Sequence, residues 1–358
     1  MGDTEINDIR GIHEFRGISF SNFKRSDVRK VLLNNLIHSK IEPACYWSAE
    51  LICAGHYSEL WEIIILFYTK YIHLGNPKIA LYLDLRLSNF KEIVNNGYLN
   101  NELRLRNNDK IRRLFCEIMC ILCDAKRKHS FDTIRVNKED FDITQLRDKF
   151  KAPNNKFAEN IFKDEDPKEL LPAINEIAYN ISNENQNAID ACYWIEWFIE
   201  FEIICKNKKE KIFCERRNFK QIEPASQKDI IFIIWDLFFY EAEKRGKFMK
   251  KTMESLFNLF TLKYSSGNYK KRKHILYFAI SLLCEQVSNS EEIIRSSQKE
   301  IVCNILKKVD CVYKQVKKNE ITPNTDYLFK GIKSTNLEKT IEKLEAMNSF
   351  GESFMPRL

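Results

Sequence analysis

The chain has 358 residues, 44% of them hydrophobic and 12% aromatic, which is ample material for a packed core and excludes disorder as its general state. Only 10 Gly and 8 Pro are present, too few for the tight turns of an all-β fold or the strand-to-helix corners of an α/β fold, so the composition predicts an all-α protein without a significant sheet. The net charge is +7, and the stretch Glu241–Lys273, with ten Lys/Arg against three Glu, accounts for an excess as large as that of the whole chain.

Met1–Asn7 is polar and acidic, which predicts no signal peptide. The longest apolar runs, Ile63–Tyr68 and Ile230–Tyr240, fall well short of the roughly 20 residues that span a bilayer. Eleven cysteines without a secretory signal are expected to be reduced and buried as small hydrophobes, in the cytosol, the nucleus or a cytoplasmic viral factory.

Residues 1–25 are expected to form an extended arm docked through Phe15, Ile18, Phe20 and Phe23. A first helical module over 26–150 begins with a Ser26-Asp27 cap and Val28, Val31, Leu32 and Leu36 at helical spacing. Further helices are predicted from Pro43 to Gly55, from Ser58 to about Leu74, from Lys78 to Leu87 and from Ile111 to Lys126. The polar, breaker-rich segments Lys151–Asn155 and Lys163–Pro167 place a linker at 151–170. A second module over 171–318 follows, with helices at Leu171–Ile181, Ala188–Cys205, Gln227–Arg245, Lys247–Lys263, Lys273–Val287 and Glu291–Lys318. A tail over 319–358 carries a short helix, Asn336–Met347, and the apolar residues Phe350, Phe354 and Met355.

Ala44-Cys-Tyr-Trp47 returns as Ala191-Cys-Tyr-Trp194, each copy opening a strongly apolar helix. A decayed duplication and coincidence are both compatible with one tetrapeptide. Trp47 and Trp194 are expected to be buried near the starts of their helices.

Ala44-Cys-Tyr-Trp-Ser-Ala49, Ala54-Gly55 and Leu74-Gly-Asn-Pro77 resemble a segment in the helical C-terminal region of RarA/WRNIP-type AAA+ proteins, relatives of clamp loaders. That likeness covers about 35 residues of the chain, departs from the pattern at Cys45 and Asn76, and comes without an ATPase half. It implies helix packing and a replication setting. Ala44–Leu83, Ala191–Arg217 and Gln227–Asp236 also resemble uncharacterised proteins of large nucleocytoplasmic DNA viruses, which implies a viral protein and carries no catalytic residues over.

No glycine cluster with a following Gly-Lys-Ser/Thr is present, which excludes a phosphate-cradling loop. Cys116, Cys120 and Cys123 share one helical face; the apolar residues between them favour buried structural thiols over a metal site, so no metal or other cofactor is expected. The six histidines are scattered without ligand spacing. Glu196 and Glu200 share a strip beside an aromatic face, and Glu202 falls between apolar positions, where a buried ion pair with Arg216 is favoured over acid/base work. Lys244, Arg245, Lys247, Lys250, Lys251, Lys270, Lys271, Arg272 and Lys273 are candidate anion or nucleic-acid contacts, with Tyr269 available for base stacking. The expectation from sequence is a non-enzymatic helical assembly protein that binds other proteins and no membrane. The alternative is a nucleic-acid-associated replication or transcription accessory.

Overall fold

Apolar residues at helical spacing set the local structure; side-chain caps open only two of the described α-helices, and the expected Ser26-Asp27 cap is not made, since the first helix starts at Arg25 without one. One of the two opens Asp109–Asp124, where the Asn108 side chain accepts hydrogen bonds from the Lys110 and Ile111 N–H groups at 2.9 and 3.2 Å. That satisfies donors a helix start otherwise leaves open. The computed structural model describes residues 4–99, 101–132, 134–142, 146–288 and 290–321. The predicted helix Asn336–Met347 and the residues Phe350, Phe354 and Met355 lie outside them. Among the described residues the chain is mostly helical and has no strand; two isolated bridges, Ile18 with Lys24 and His73 with Lys128, are its only β contacts.

The first half contains α1 (Arg25–Ile37), α2 (Ile41–Cys53), α3 (Tyr57–Phe67), α4 (Ile79–Asn95) and α5 (Asp109–Asp124). The second contains α6 (Leu171–Ile181), α7 (Ala188–Asn207), α8 (Ile231–Lys244), α9 (Lys247–Phe260) and α10 (Lys273–Cys284). Two short helices, α11 (Lys299–Lys307) and α12 (Val309–Lys317), replace the single helix expected over 291–318. A π-helical turn at Tyr68–Ile72 ends α3 early. The chain then passes so close to α5 that a side chain at Gly75 would put its Cβ 2.3 Å from the Lys126 carbonyl oxygen, so only glycine fits. Gly246, at φ +96, makes the corner between α8 and α9.

The two halves repeat one plan. In the first, α1 packs on α2, α3 and α5, α2 packs on α5, and α4 packs on α5. In the second, α6 packs on α7, α8 and α10, α7 packs on α10, and α9 packs on α10. The tetrapeptide falls on the second helix of each set, and in both copies the Tyr and Trp rings meet edge to face at 5.4 Å. The fifth helices end alike, as Ile121-Leu-Cys-Asp124 and Leu282-Leu-Cys-Glu285. The two sets share five pairings, and the two helix ends share their central Leu-Cys; the α2–α3 contact of the first set and the α8–α9 and α8–α10 contacts of the second have no comparable counterpart.

These halves are not separate cores. One continuous apolar cluster runs from Ile6 to Val316, and α4 lies against α9 across the middle. The expected linker is part of this body: Ala158 and Ile161 are buried, and Asp166 grips the buried Arg217 through both oxygens at 2.6 and 2.7 Å. Arg217 also reaches Asp236 at 2.7 Å, so the 151–170 segment is bolted to α8. The hairpin α11–α12, assigned from sequence to the second module, instead packs on α2 and α5 of the first. There Tyr313 is buried under the Arg112 guanidinium, 4.1 Å from the ring centroid.

The N-terminal arm docks as expected through Phe15 and Phe20, both buried. Phe23 stays exposed and lies edge-on to Trp47, which is half-buried. The expectation of two buried tryptophans therefore holds for Trp194, stacked on Phe150 at 5.6 Å, and not for Trp47, which stays half-buried beside Phe23 and Tyr46 in the wall of a cavity.

Candidate anion-binding surface and cysteine cluster

The basic stretch and the α7 carboxylates, separate features in the sequence, meet in space. α7 presents Glu196 and Glu202, both buried, towards the segment 269–277 that leads into α10. Glu202 accepts a short hydrogen bond from Tyr269 and pairs with Lys270 at 3.1 Å and Lys206 at 3.4 Å. Glu196 accepts a short hydrogen bond from Tyr277 and pairs with Lys273 at 2.8 Å. Burial and the facing carboxylates push both tyrosine hydroxyls above their usual range, so they remain donors at any physiological pH. Arg272, also buried, pairs with Glu62 of α3 and donates to the Phe260 carbonyl at 2.6 Å. This lattice ties α7 to α10 and one half to the other.

Several expectations are corrected by it. Tyr269 is 1% exposed, so its ring offers no platform for a base. Arg216 does not partner Glu202; its Nε donates to Gln227 at 2.6 Å, and the neighbouring Arg217 is the buried guanidinium. Glu200 lies outside the cluster, leaving Glu196 and Glu202 each tied to a tyrosine and a lysine rather than to each other. Neither carboxylate combines the accessibility and free hydrogen-bonding capacity that a general acid or base requires.

At the α8–α9 corner the pattern is the same. Glu241 holds Lys244 at 2.7 Å and Arg245 at 2.6 Å, and Arg245 also donates to the Ile181 carbonyl at 2.6 Å. Lys250 pairs with Glu243 at 2.6 Å. Lys247, Lys251 and Lys271 are exposed and carry no ion pair among the described residues. The nine-residue candidate surface thus reduces to three unneutralised lysines.

The cysteine face of α5 is divided differently from its sequence pattern. Cys123 points away: its thiol is pushed up to about 12 by burial, with Arg127 opposing, and its carbonyl accepts from Ser39 at 2.8 Å. Cys116 and Cys120 meet Cys45, the cysteine of the first tetrapeptide, and the three sulfurs lie within 4.8 Å of one another, all buried. Cys45 and Cys116 are 3.5 Å apart. A cavity of about 540 Å³ opens on this cluster between α2, α5 and α12, with Cys311 of α12 in its wall. Sequence reasoning missed this grouping because Cys45 and Cys116 are 71 residues apart and no local spacing joins them.

No helix among the described residues is long and apolar enough to cross a membrane. No protein-family model, curated protein or solved structure matches the chain.

Proposed function

We propose that this chain is a non-enzymatic α-helical interaction protein, a component of a larger assembly such as a virion or replication complex of a large DNA virus. The observation that carries this reading is how the charged residues are used. Of the ten basic side chains in 244–273, seven are paired with carboxylates of the same chain. The buried acids Glu196, Glu202 and Glu241 are among the other halves of those pairs. A rigid scaffold results, with its titratable groups committed to joining helices. At one end the arm and the 96–107 loop surround a polar cavity of about 720 Å³. Ile9 and Ile12 of the arm and Leu99 of the loop, which do not line it, stand more than half exposed (56%, 57% and 65%) and are the apolar side chains offered here to a protein partner. The viral setting rests on the likeness of Ala44–Leu83 and Ala191–Arg217 to proteins of such viruses.

Titration of the purified chain against duplex DNA, single-stranded DNA and RNA at low salt tests this against the nucleic-acid alternative. The expected outcome is no retention. Binding through Lys247, Lys251 and Lys271 would instead give a slope of log K against log [salt] no steeper than about −2.7 on duplex DNA, abolished when all three are changed to Ala. A steep salt dependence that disappears in that triple variant would replace the assembly reading with the alternative. Copurification of the tagged chain with stoichiometric protein partners, resistant to nuclease, is the positive result.

A further inference from the structure

We propose that Cys45, Cys116 and Cys120 form a three-thiolate site for a thiophilic divalent metal ion, zinc in the first instance, with the fourth position supplied from the cavity by Cys311. Thiolates at about 2.3 Å from a tetrahedral zinc ion stand about 3.8 Å apart. Cys45 and Cys116 are already 3.5 Å apart, and no sulfur of the three is more than 4.8 Å from another. Side-chain rotations that move sulfurs by about 1 Å would bring all three to bonding distance. Soft sulfur donors select zinc, copper(I) or iron–sulfur chemistry over magnesium and calcium. A divalent ion leaves three buried thiolates with less residual charge than a monovalent one, which favours zinc over copper(I) in an apolar wall.

The second half of the molecule supplies an internal control. With the two chain ends Ile121–Asp124 and Leu282–Glu285 placed in register, the positions of Cys116 and Cys120 on α5 correspond to Tyr277 and Ser281 on α10. Cys45 corresponds to Cys192. At these three positions the equivalent pairing, α7 on α10, therefore carries one cysteine where α2 on α5 carries three. Packing of this helix pair does not require thiols at those positions, so their grouping in the first half needs another reason.

The cavity gives a second one. Of the two exposed cysteines, Cys303 and Cys311, the latter lies in the wall of the space that opens onto Cys45 and Cys116. Cys311 belongs to α12, the C-terminal hairpin that folds back onto α2 and α5. Metal bound by all four would therefore clamp that hairpin to the first half. Each thiol that bonds the ion loses its proton to solvent, so uptake releases up to four protons and is stronger at higher pH.

The test is titration of the reduced, full-length protein with Co²⁺, followed by displacement with Zn²⁺. One equivalent of Co²⁺ should produce thiolate-to-cobalt charge-transfer and intense tetrahedral d–d absorption, bleached by one equivalent of Zn²⁺. Cys116→Ser and Cys120→Ser should each weaken binding by more than about 100-fold, beyond the loss typical of outer-shell changes. Cys192→Ser should leave it unchanged, and Cys311→Ser should alter the d–d spectrum while retaining the ion. Alkylation of the wild type read by mass spectrometry gives a measure independent of any variant's folding. Zinc should protect the exposed Cys311 and leave the exposed Cys303 reactive. Absence of cobalt uptake by the folded, reduced chain overturns the proposal, as does uptake indifferent to Cys116→Ser. A two-hydrogen mass loss joining Cys45 to Cys116 without any metal uptake would overturn it in favour of a redox pair.

Discussion

Tyr269 and Glu202 show how burial changes the meaning of a residue. An aromatic among lysines reads in sequence as a stacking platform, and an acid among apolar residues reads as an anomaly; each is the other's partner. Tyr269→Phe removes a hydrogen bond to a charged acceptor and should cost about 1.5–3 kcal/mol, visible as a lower urea midpoint with an unchanged m-value. If the midpoint does not move, the hydroxyl is not holding Glu202. Two buried histidines give a pH signature. Burial, then Lys128 and His274, push His73 down to about 3, and burial, then Lys70 and Lys273, push His274 down to about 4. Both are therefore neutral in the native state, whereas the unfolded chain protonates them near pH 6.5. Between about pH 6.5 and 4 the unfolded state binds more protons, so stability falls on acidification by about 1.4 kcal/mol per pH unit for each histidine. Denaturation at several pH values should show this slope, and His73→Asn should remove about half of the histidine share while leaving carboxylate contributions in place. Asparagine suits the left-handed backbone at position 73, where φ is +48. Neither histidine carried a signal in the sequence, since what matters is the absence of a hydrogen-bond partner for both ring nitrogens of His73.

Helices were the most legible elements. Leu171–Ile181 emerged with the expected bounds, because Pro172 at the first turn and a run of apolar residues mark it locally. The break between α11 and α12 at Lys308 was not legible, and no proline or glycine stands there to force it. Segment 151–170 was misread for a different reason: polar residues that look like a linker are there to bond Arg217. Burial would raise the Asp166 carboxyl, but Arg217 and the N–H groups of Lys163 and Glu215 outweigh it and hold it below the usual range. Arg217→Met leaves Asp166 buried without its cation, which costs about 3–5 kcal/mol. Limited proteolysis should then cut within 151–166 first, while α8 remains resistant; equal sensitivity of the two would show that the bolt is not local.

At the scale of the molecule, the all-α class and the repeated tetrapeptide were readable, but the joining of the halves was not, since α4 and α9 are far apart in the chain. Residues 1–150 produced alone should expose the seam, the face of α4 that packs on α9, where Asn258 donates to Asp84, and lack the α11–α12 hairpin. Such a fragment should melt without cooperativity and regain a sharp transition when coexpressed with 151–321. Full, cooperative helicity in each fragment alone would count against a shared core.

The seam pairs corresponding helices of the two halves, α4 with α9, which is how a two-fold symmetric dimer meets itself. In a dimer of identical chains every substitution at such a face arrives twice, and a harmful one is doubled. A single chain that carries both sides is free of that coupling: each side varies alone, compensated by its neighbour. At three corresponding positions one side carries Cys45, Cys116 and Cys120 and the other Cys192, Tyr277 and Ser281, an asymmetry no pair of identical subunits can hold.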